Sequence, residues 1–267
     1  MTELSFNYHL NIDFDAPVHN HNFALRCCPQ TDERQQIDDM KFNLLPQESL
    51  WFMEDNFGNR YAAGSIKKQH SHFEVDVRGT ARVGLSDSTA EVNKYRENIF
   101  KYQTALTKPD RAVLDAVSEI IRTNGQKISE DPIDMAAGIM AYLSENMIYT
   151  PGSTAVDTTA AEAFAMKQGV CQDYAHIMLS MLRSRGICSR YVVGMLPGEG
   201  LSHAWVEVKS DGRWYGFDPT NNVRVTDHHI KMSHGRDYKD CMINIGCLAG
   251  RAQQYQSIYV SVKDVAK

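Results

Sequence analysis

The segment SHAWVEVKSDGRWYGFDPTN, residues 202–221, predicts two antiparallel strands joined by a tight turn. Apolar and polar residues alternate on both sides of Asp211-Gly212, a pair typical of two-residue β-hairpin loops. With such a loop, Ser210 pairs with Arg213 across the hairpin. A longer loop would shift this register, so the pairing depends on the length of the turn.

The register determines which polar side chains of the hairpin lie together. His203 falls opposite Thr220, and Asp218 becomes its diagonal neighbour on the same face, within reach of a side-chain contact. The other face is apolar and predicts a core, with Ala204, Val206, Val208, Tyr215 and Phe217. The hairpin therefore predicts a histidine–carboxylate pair, although a polar pair at a strand end without catalytic function would have the same spacing.

Upstream of the hairpin, the segment GVCQDYAH, residues 169–176, begins a helix predicted from about Val170 to Arg185. Cys171 lies in its first turn, where free N–H groups and the helix dipole stabilise negative charge. A cysteine at this position is biased toward the nucleophilic thiolate, and the same N–H groups are placed to donate to an oxyanion. The alternative is a small side chain that packs the helix onto a sheet.

Taken together, these three residues match cysteine-dependent acyl transfer. The imidazole of His203 accepts the thiol proton of Cys171 and later donates a proton to the leaving group. The carboxylate of Asp218 holds the imidazole in one tautomer and stabilises its charged form. The convergence of the three groups on one domain favours catalysis over a structural role for each.

Further from the hairpin, the hydrophobic period changes near residue 105. Before it, alternating segments predict an antiparallel β domain with a hairpin turn at Asp55–Asn59, and its strands are Leu4–Phe14, Asn22–Cys28, Leu50–Glu54, Arg60–Ser65 and Phe73–Val77. After it, amphipathic helices are predicted from Pro109 to Asn124-Gly125 and from Asp131-Pro132 onward. Strands follow at Arg190–Leu196, His203–Lys209, Trp214–Asp218 and Ser257–Val262. The fold class is α+β, with domains at 1–105 and 106–267.

Several of these segments resemble the bacterial transglutaminase-like superfamily, which has a papain-like core. The matching segments are YTPGST (149–154), GVCQDYAH (169–176), RGI (185–187), RYV (190–192), SHAWVEV (202–208), WYGFDPTN (214–221) and GRDYKD (235–240). The β half, with its Asp55–Asn59 turn, is similar to the N-terminal domain that often precedes this core. The resemblance is most specific between residues 149 and 240.

The resemblance implies the fold and the site. It implies a helix bundle packed on an antiparallel sheet, preceded by a small antiparallel β domain. The family's nucleophile falls on Cys171, its base on His203 and its acid on Asp218. Gln172 belongs to the family pattern and is a candidate for the substrate groove or the oxyanion site, as is Trp205. Trp205 is two residues after the base, where it either walls the substrate channel or packs in the core.

Composition limits the function classes. The 267 residues carry 28 basic and 33 acidic side chains, a net charge of −5, which argues against a nucleic-acid partner. Six cysteines are too few for a disulfide scaffold. The first twenty residues lack a secretory signal, and no apolar run is long enough to span a membrane, so we expect a cytoplasmic protein. We expect a peptide or protein substrate and no cofactor, and the oligomeric state is unknown.

Two alternatives remain open at this stage. A non-catalytic protein would bind a peptide in the same groove, with the three residues held apart. A zinc protein would use the late group of His228, His229, His234, Cys241 and Cys247, whose spacing fits no familiar zinc pattern. For the enzyme, the acceptor is either water, which gives a peptidase or amidase, or an amine, which gives a transglutaminase.

Overall fold

The computed structural model describes residues 1–90, 94–123 and 131–265. Its strands are β1 (Thr2–Leu25), β2 (Gln35–Leu45), β3 (Leu50–Glu54), β4 (Arg60–Ile66), β5 (His70–Val83), β6 (Ser88–Ala90), β7 (Ile148–Tyr149), β8 (Gln168–Gly169), β9 (Ser189–Met195), β10 (Gly198–Gly200), β11 (His203–Ser210), β12 (Arg213–Asp218), β13 (Val223–Arg224), β14 (Ile230–Gly235), β15 (Asn244–Ala249) and β16 (Gln254–Asp264). The α-helices are α1 (Arg111–Thr123), α2 (Pro132–Asn146), α3 (Ala160–Met166) and α4 (Cys171–Ser184), and short 3-10 helices occupy Lys94–Lys101 and Tyr238–Cys241.

The N-terminal half is built around the long strand β1. Its alternate residues from Leu4 to Phe14 are buried, as the period-2 pattern predicted. On one side, Leu10 of β1 lies opposite Val75 of β5, and on the other side it lies opposite Ile258 of β16. The predicted turn between β3 and β4 is present, with the backbone N–H of Asp55 bonded to the carbonyl of Asn59.

The last strands of the chain lie in the same sheet as the first. Both β15 and β16 pair antiparallel with β1, and β10 pairs with β16. Conversely, β6 of the N-terminal half pairs with β12 of the second sheet. A division of the chain at residue 105 therefore separates strands that pair with each other. Pairing between residues more than 200 positions apart leaves no local signal in the sequence.

The second sheet carries the residues of the predicted site. Its strand order is β13-β12-β11-β9-β14. Asp211 and Gly212 both have positive φ, at 47° and 76°, which is the geometry of a two-residue hairpin turn. This turn sets the predicted register, with Ser210 opposite Arg213. The face that carries Ala204, Val206 and Val208 is buried in the main core, where α4 packs against β11.

The helices α1, α2 and α3 all pack against α4. The helices α1, α2 and α4 lie where the apolar period predicted them, and the predicted end of the first one at Asn124-Gly125 falls outside the described residues. The short α3 was not predicted. A helix bundle on a sheet describes the core only in part, because strands account for more of the described residues than helices do. No helix in these ranges has the length and apolar character that crossing a bilayer requires.

Candidate active site

Cys171 is the first residue of α4, and its side chain is partly exposed. The preceding residues form β8, which pairs in parallel with β7, so Tyr149 lies beside Gly169. Asp173, two residues after the cysteine, turns back to cap the helix. Its Oδ2 accepts from the backbone N–H of Val170 at 2.8 Å and from the Thr154 hydroxyl at 2.7 Å. The hydrogen bonds of this carboxylate therefore cap the helix and do not involve the thiol.

His203 opens β11 and connects the cysteine to the carboxylate. Its Nε2 lies 2.8 Å from Oδ2 of Asp218, which leaves Nδ1 for the thiol of Cys171. Burial by itself would lower the pKa of His203, but hydrogen bonds to Asp218 and to Cys171 raise the pKa to about 9. The structure thus brings the three predicted residues together at the point where α4, β11 and β12 meet, and it stabilises the charged imidazole.

Asp218 is fully buried at the end of β12. Its Oδ1 accepts from the backbone N–H groups of Thr220 and Asn221, at 3.1 and 3.2 Å, and its Oδ2 accepts from the Asn221 amide at 2.7 Å. Burial opposes ionisation, but the hydrogen bonds, led by the one from His203, hold the pKa of Asp218 well below its usual range. The aspartate is therefore a permanent negative charge in the interior.

A second histidine, His229, binds the same carboxylate, and the sequence did not predict this contact. His229 Nε2 lies 3.2 Å from Oδ2 of Asp218, and only 5% of the His229 side chain is exposed. Residue 229 directly precedes β14, which is separated from β12 by two strands. Nothing in the local sequence indicates this contact, because it depends on the pairing of β14 with β9.

Trp205 lies beneath the two histidines. It is 1% exposed, its ring centroid is 6.3 Å from that of His203 with near-parallel planes, and it meets His229 edge to face at 5.3 Å. The indole also packs against Val192 and Val225. Of the two roles predicted for Trp205, this burial favours the core aromatic, which supports the imidazole of His203 from below.

The side chain of Gln172 is hydrogen-bonded to a neighbouring loop. Its Nε2 donates to the carbonyl of Val156 at 3.0 Å. The backbone N–H groups of Asp173 and Tyr174 bond to the carbonyl of Val170. The remaining donors of the first turn of α4 are therefore the backbone N–H groups of Cys171 and Gln172, beside the sulfur. These two groups are better placed for an oxyanion than the Gln172 side chain.

The late histidines and cysteines are dispersed. His228 contacts Asp227, His229 contacts Asp218, Cys241 is buried beside Tyr191, and Cys247 is exposed on β15. Across the described part of the chain, no three His, Cys, Asp or Glu side chains are grouped as metal ligands would be. On β5, His70 and His72 also differ in environment, since His70 is buried and His72 is exposed.

Comparisons with known proteins identify relatives of both halves of the chain. Residues 121–219 match the transglutaminase-like superfamily, and residues 4–82 match the bacterial transglutaminase-like N-terminal region. The uncharacterized protein ML0607 of Mycobacterium leprae is 26% identical over 277 residues, which cover 95% of both chains. The uncharacterized protein Rv2569c of Mycobacterium tuberculosis is 32% identical over 124 residues, 40% of each chain.

A solved structure shares the fold of nearly the whole chain. It is described as a putative cysteine protease from Cytophaga hutchinsonii, with a TM-score of 0.76 over 99% of this chain and 91% of that one. The sequence identity is 19%, so the match concerns the fold alone. It extends over the β half and the core together.

Proposed function

The chain belongs to the transglutaminase-like superfamily, and on this premise we propose that it is a thiol-dependent acyl-transfer enzyme with Cys171, His203 and Asp218 as its catalytic residues. The substrate is the amide of a peptide bond or of a glutamine side chain. The observation that carries the proposal is the hydrogen-bonded chain from Cys171 through His203 to Asp218 at the buried end of β12.

The reaction begins with proton transfer from the Cys171 thiol to Nδ1 of His203. The sulfur attacks the amide carbonyl, and the backbone N–H groups at the start of α4 stabilise the oxyanion. The imidazolium then gives its proton to the leaving amine, and a thioester remains on Cys171. The buried charge of Asp218 stabilises the imidazolium through the Nε2–H bond, and it also prevents the ring from adopting the other tautomer.

A second molecule resolves the thioester. We propose water as the acceptor, which makes the protein a cysteine peptidase or amidase, in the cytoplasm, with no cofactor. An amine acceptor would make it a transglutaminase. The catalytic residues are the same for both outcomes, because the choice depends on how water and amines reach the thioester.

The test is incubation with a library of glutamine-containing peptides, with and without a primary amine, followed by mass spectrometry. We expect cleaved or deamidated peptides from the wild-type protein and none from the C171A variant. Incorporation of the amine would identify a transglutaminase instead. A wild-type protein that binds peptides without changing them would support the alternative of a peptide-binding protein that uses the same groove.

A further inference from the structure

The oxygen Oδ2 of Asp218 receives three side-chain donors. They are Nε2 of His203 at 2.8 Å, Nδ2 of Asn221 at 2.7 Å and Nε2 of His229 at 3.2 Å. The catalytic reaction uses the first of these contacts, and the Asn221 contact closes the loop after β12. The proposed mechanism gives His229 no role, although it is buried and binds the same oxygen as the base.

The tautomer of His229 follows from its partners. An ionised carboxylate only accepts hydrogen bonds, so His229 must carry a proton on Nε2. Its other nitrogen, Nδ1, is buried without a hydrogen-bond partner. A proton there would leave an unsatisfied charged donor in the interior. The geometry therefore selects the neutral imidazole with its proton on Nε2.

The surroundings of His229 shift its pKa in both directions. Burial lowers the pKa of His229, the bond to Asp218 raises it, and the positive charges of His203 and Arg34 lower it. Arg34 is itself bonded to the carbonyls of Ser86 and Thr226. The pKa of His229 lies below its usual value as a result, which agrees with the neutral form.

We propose that His229 is a positioning residue of this site, a neutral imidazole that shares the Asp218 oxygen with His203 and so limits how strongly the carboxylate stabilises the charged form of His203. This inference rests on the proposed function. A carboxylate oxygen that accepts a second imidazole N–H has less electron density for the first. Without His229, Asp218 would bind the charged His203 more tightly, and the base would lose its proton at higher pH.

The test compares two alkylating reagents at Cys171. Iodoacetate carries a negative charge and is attracted by the His203 imidazolium, whereas iodoacetamide is neutral and reacts with the thiolate alone. The rate with iodoacetate divided by the rate with iodoacetamide therefore falls as His203 loses its proton. Mass spectrometry of the Cys171 peptide gives this ratio over a pH series, and the exposed Cys247 of the same chain provides an internal reference.

The variants are H229F, H229Q and H228F. Phenylalanine keeps the aromatic packing on Trp205 but removes the donor, and glutamine keeps a donor that does not titrate. H228F places the same substitution on a neighbouring side chain that is half exposed and bonded to Asp227. We expect H229F to move the midpoint of the fall upward by about 0.5 to 1 pH unit. H229Q and H228F should remain within about 0.2 pH units of the wild type.

A midpoint that does not move in H229F, in a wild-type protein whose ratio does fall, would overturn this inference and leave the proposed function intact. A wild-type protein in which Cys171 behaves like Cys247 would overturn the proposed function itself. If H229F does not fold, nitrogen-15 NMR of the wild-type imidazoles decides the question. We expect His229 to be neutral and protonated on Nε2 at pH 7, and a proton on Nδ1 would refute the proposal.

Discussion

The Nε2 atom of His203 lies 2.8 Å from Oδ2 of Asp218, across two strands joined by a two-residue turn. The carboxylate is fully buried and accepts four further hydrogen bonds, from Thr220, Asn221 and His229. A neutral amide in its place would present N–H groups to donors and would withdraw the charge that stabilises the imidazolium.

The D218N variant should therefore be almost inactive while remaining folded. We expect a loss of about 10³-fold or more in kcat for peptide turnover, as for an imidazole held in the wrong tautomer. D211N is a matched control, because Asp211 lies in the exposed turn of the same hairpin. Asparagine accepts the positive φ of that turn, so D211N should retain full activity. Substantial activity in D218N would contradict a catalytic role for the aspartate.

The stability of the protein should fall in mild acid because of buried histidines. His21 is 3% exposed and stacks on His70, with Nδ1 of His21 3.2 Å from Nε2 of His70. Burial, with a smaller contribution from the charge of His70, lowers the pKa of His21 to about 4. The unfolded chain binds this proton near pH 6.5, so the free energy of unfolding decreases as the pH falls from about 6.5 to 4.

The full effect of His21 is about 3 kcal/mol, from a shift of roughly 2.5 units. Urea unfolding at pH 7.5 and pH 4.5 measures the difference. H21Q removes the titrating group, and its loss of stability between the two pH values should be smaller than that of the wild type. The control is H72Q, since His72 is exposed and its bond to Asp13 raises its pKa. Equal acid losses in the wild type and H21Q would refute the prediction.

His203 changes the pH dependence of stability in the opposite direction from His21. Its pKa is raised in the folded protein to about 9, so it contributes stability below pH 6.5 that is lost as the pH rises toward 9. Urea unfolding at pH 7 and pH 9.5 should show a larger alkaline loss in the wild type than in H203Q. An alkaline loss in H203Q equal to or larger than that of the wild type would contradict the raised pKa.

A buried ion cluster supports the sheet away from the site. Glu207 is 1% exposed and binds the buried Arg190 at 2.6 Å and the partly buried Lys231 at 2.7 Å, so one carboxylate neutralises two cations. In E207Q these cations lose their counter-charge, and we expect the free energy of unfolding to fall by about 3–5 kcal/mol. D38N removes the exposed partner of Arg82 and should cost less than about 1 kcal/mol. Urea unfolding measures both losses, and equal losses in E207Q and D38N would contradict a larger contribution from the buried ion pairs.

The sequence predicted the contacts that depend on short chain separations. The Asp211-Gly212 turn determines the register of β11 and β12, and this register brings His203 to Asp218. The position of Cys171 follows from the start of α4, which the apolar period indicates. These features are local, so the residue pattern is sufficient to predict them.

The contacts that were missed depend on pairing between distant strands. His229 reaches Asp218 only because β14 pairs with β9. In the sequence, His229 belongs to a loose group of late histidines and cysteines whose spacing fits no zinc pattern, and nothing in that group indicated a contact with Asp218. The strands β15 and β16 likewise join β1, although the two ends of the chain carry no matching local pattern.

The space for Trp205 depends on a glycine of the neighbouring strand. A Cβ atom at Gly194 of β9 would lie 2.1 Å from the carbonyl oxygen of Ile230 and 2.3 Å from the indole of Trp205. Real Cβ atoms do not approach other heavy atoms so closely, so the strand or the ring must move in G194A. Because Trp205 stacks beneath His203, a displaced indole would also tilt the imidazole of His203.

We expect G194A to lower the free energy of unfolding by about 2–3 kcal/mol, since overpacked sites relax only in part. Its kcat should fall more than its KM changes, because the tilt moves the imidazole of the proposed base. The double variant G194A/W205F removes much of the clash with the ring but keeps the one with Ile230. The stability lost when G194A is added to W205F should therefore be smaller than the stability lost when G194A is added to the wild type. Wild-type stability and kcat in G194A would show that β9 and the indole have more room than these distances allow.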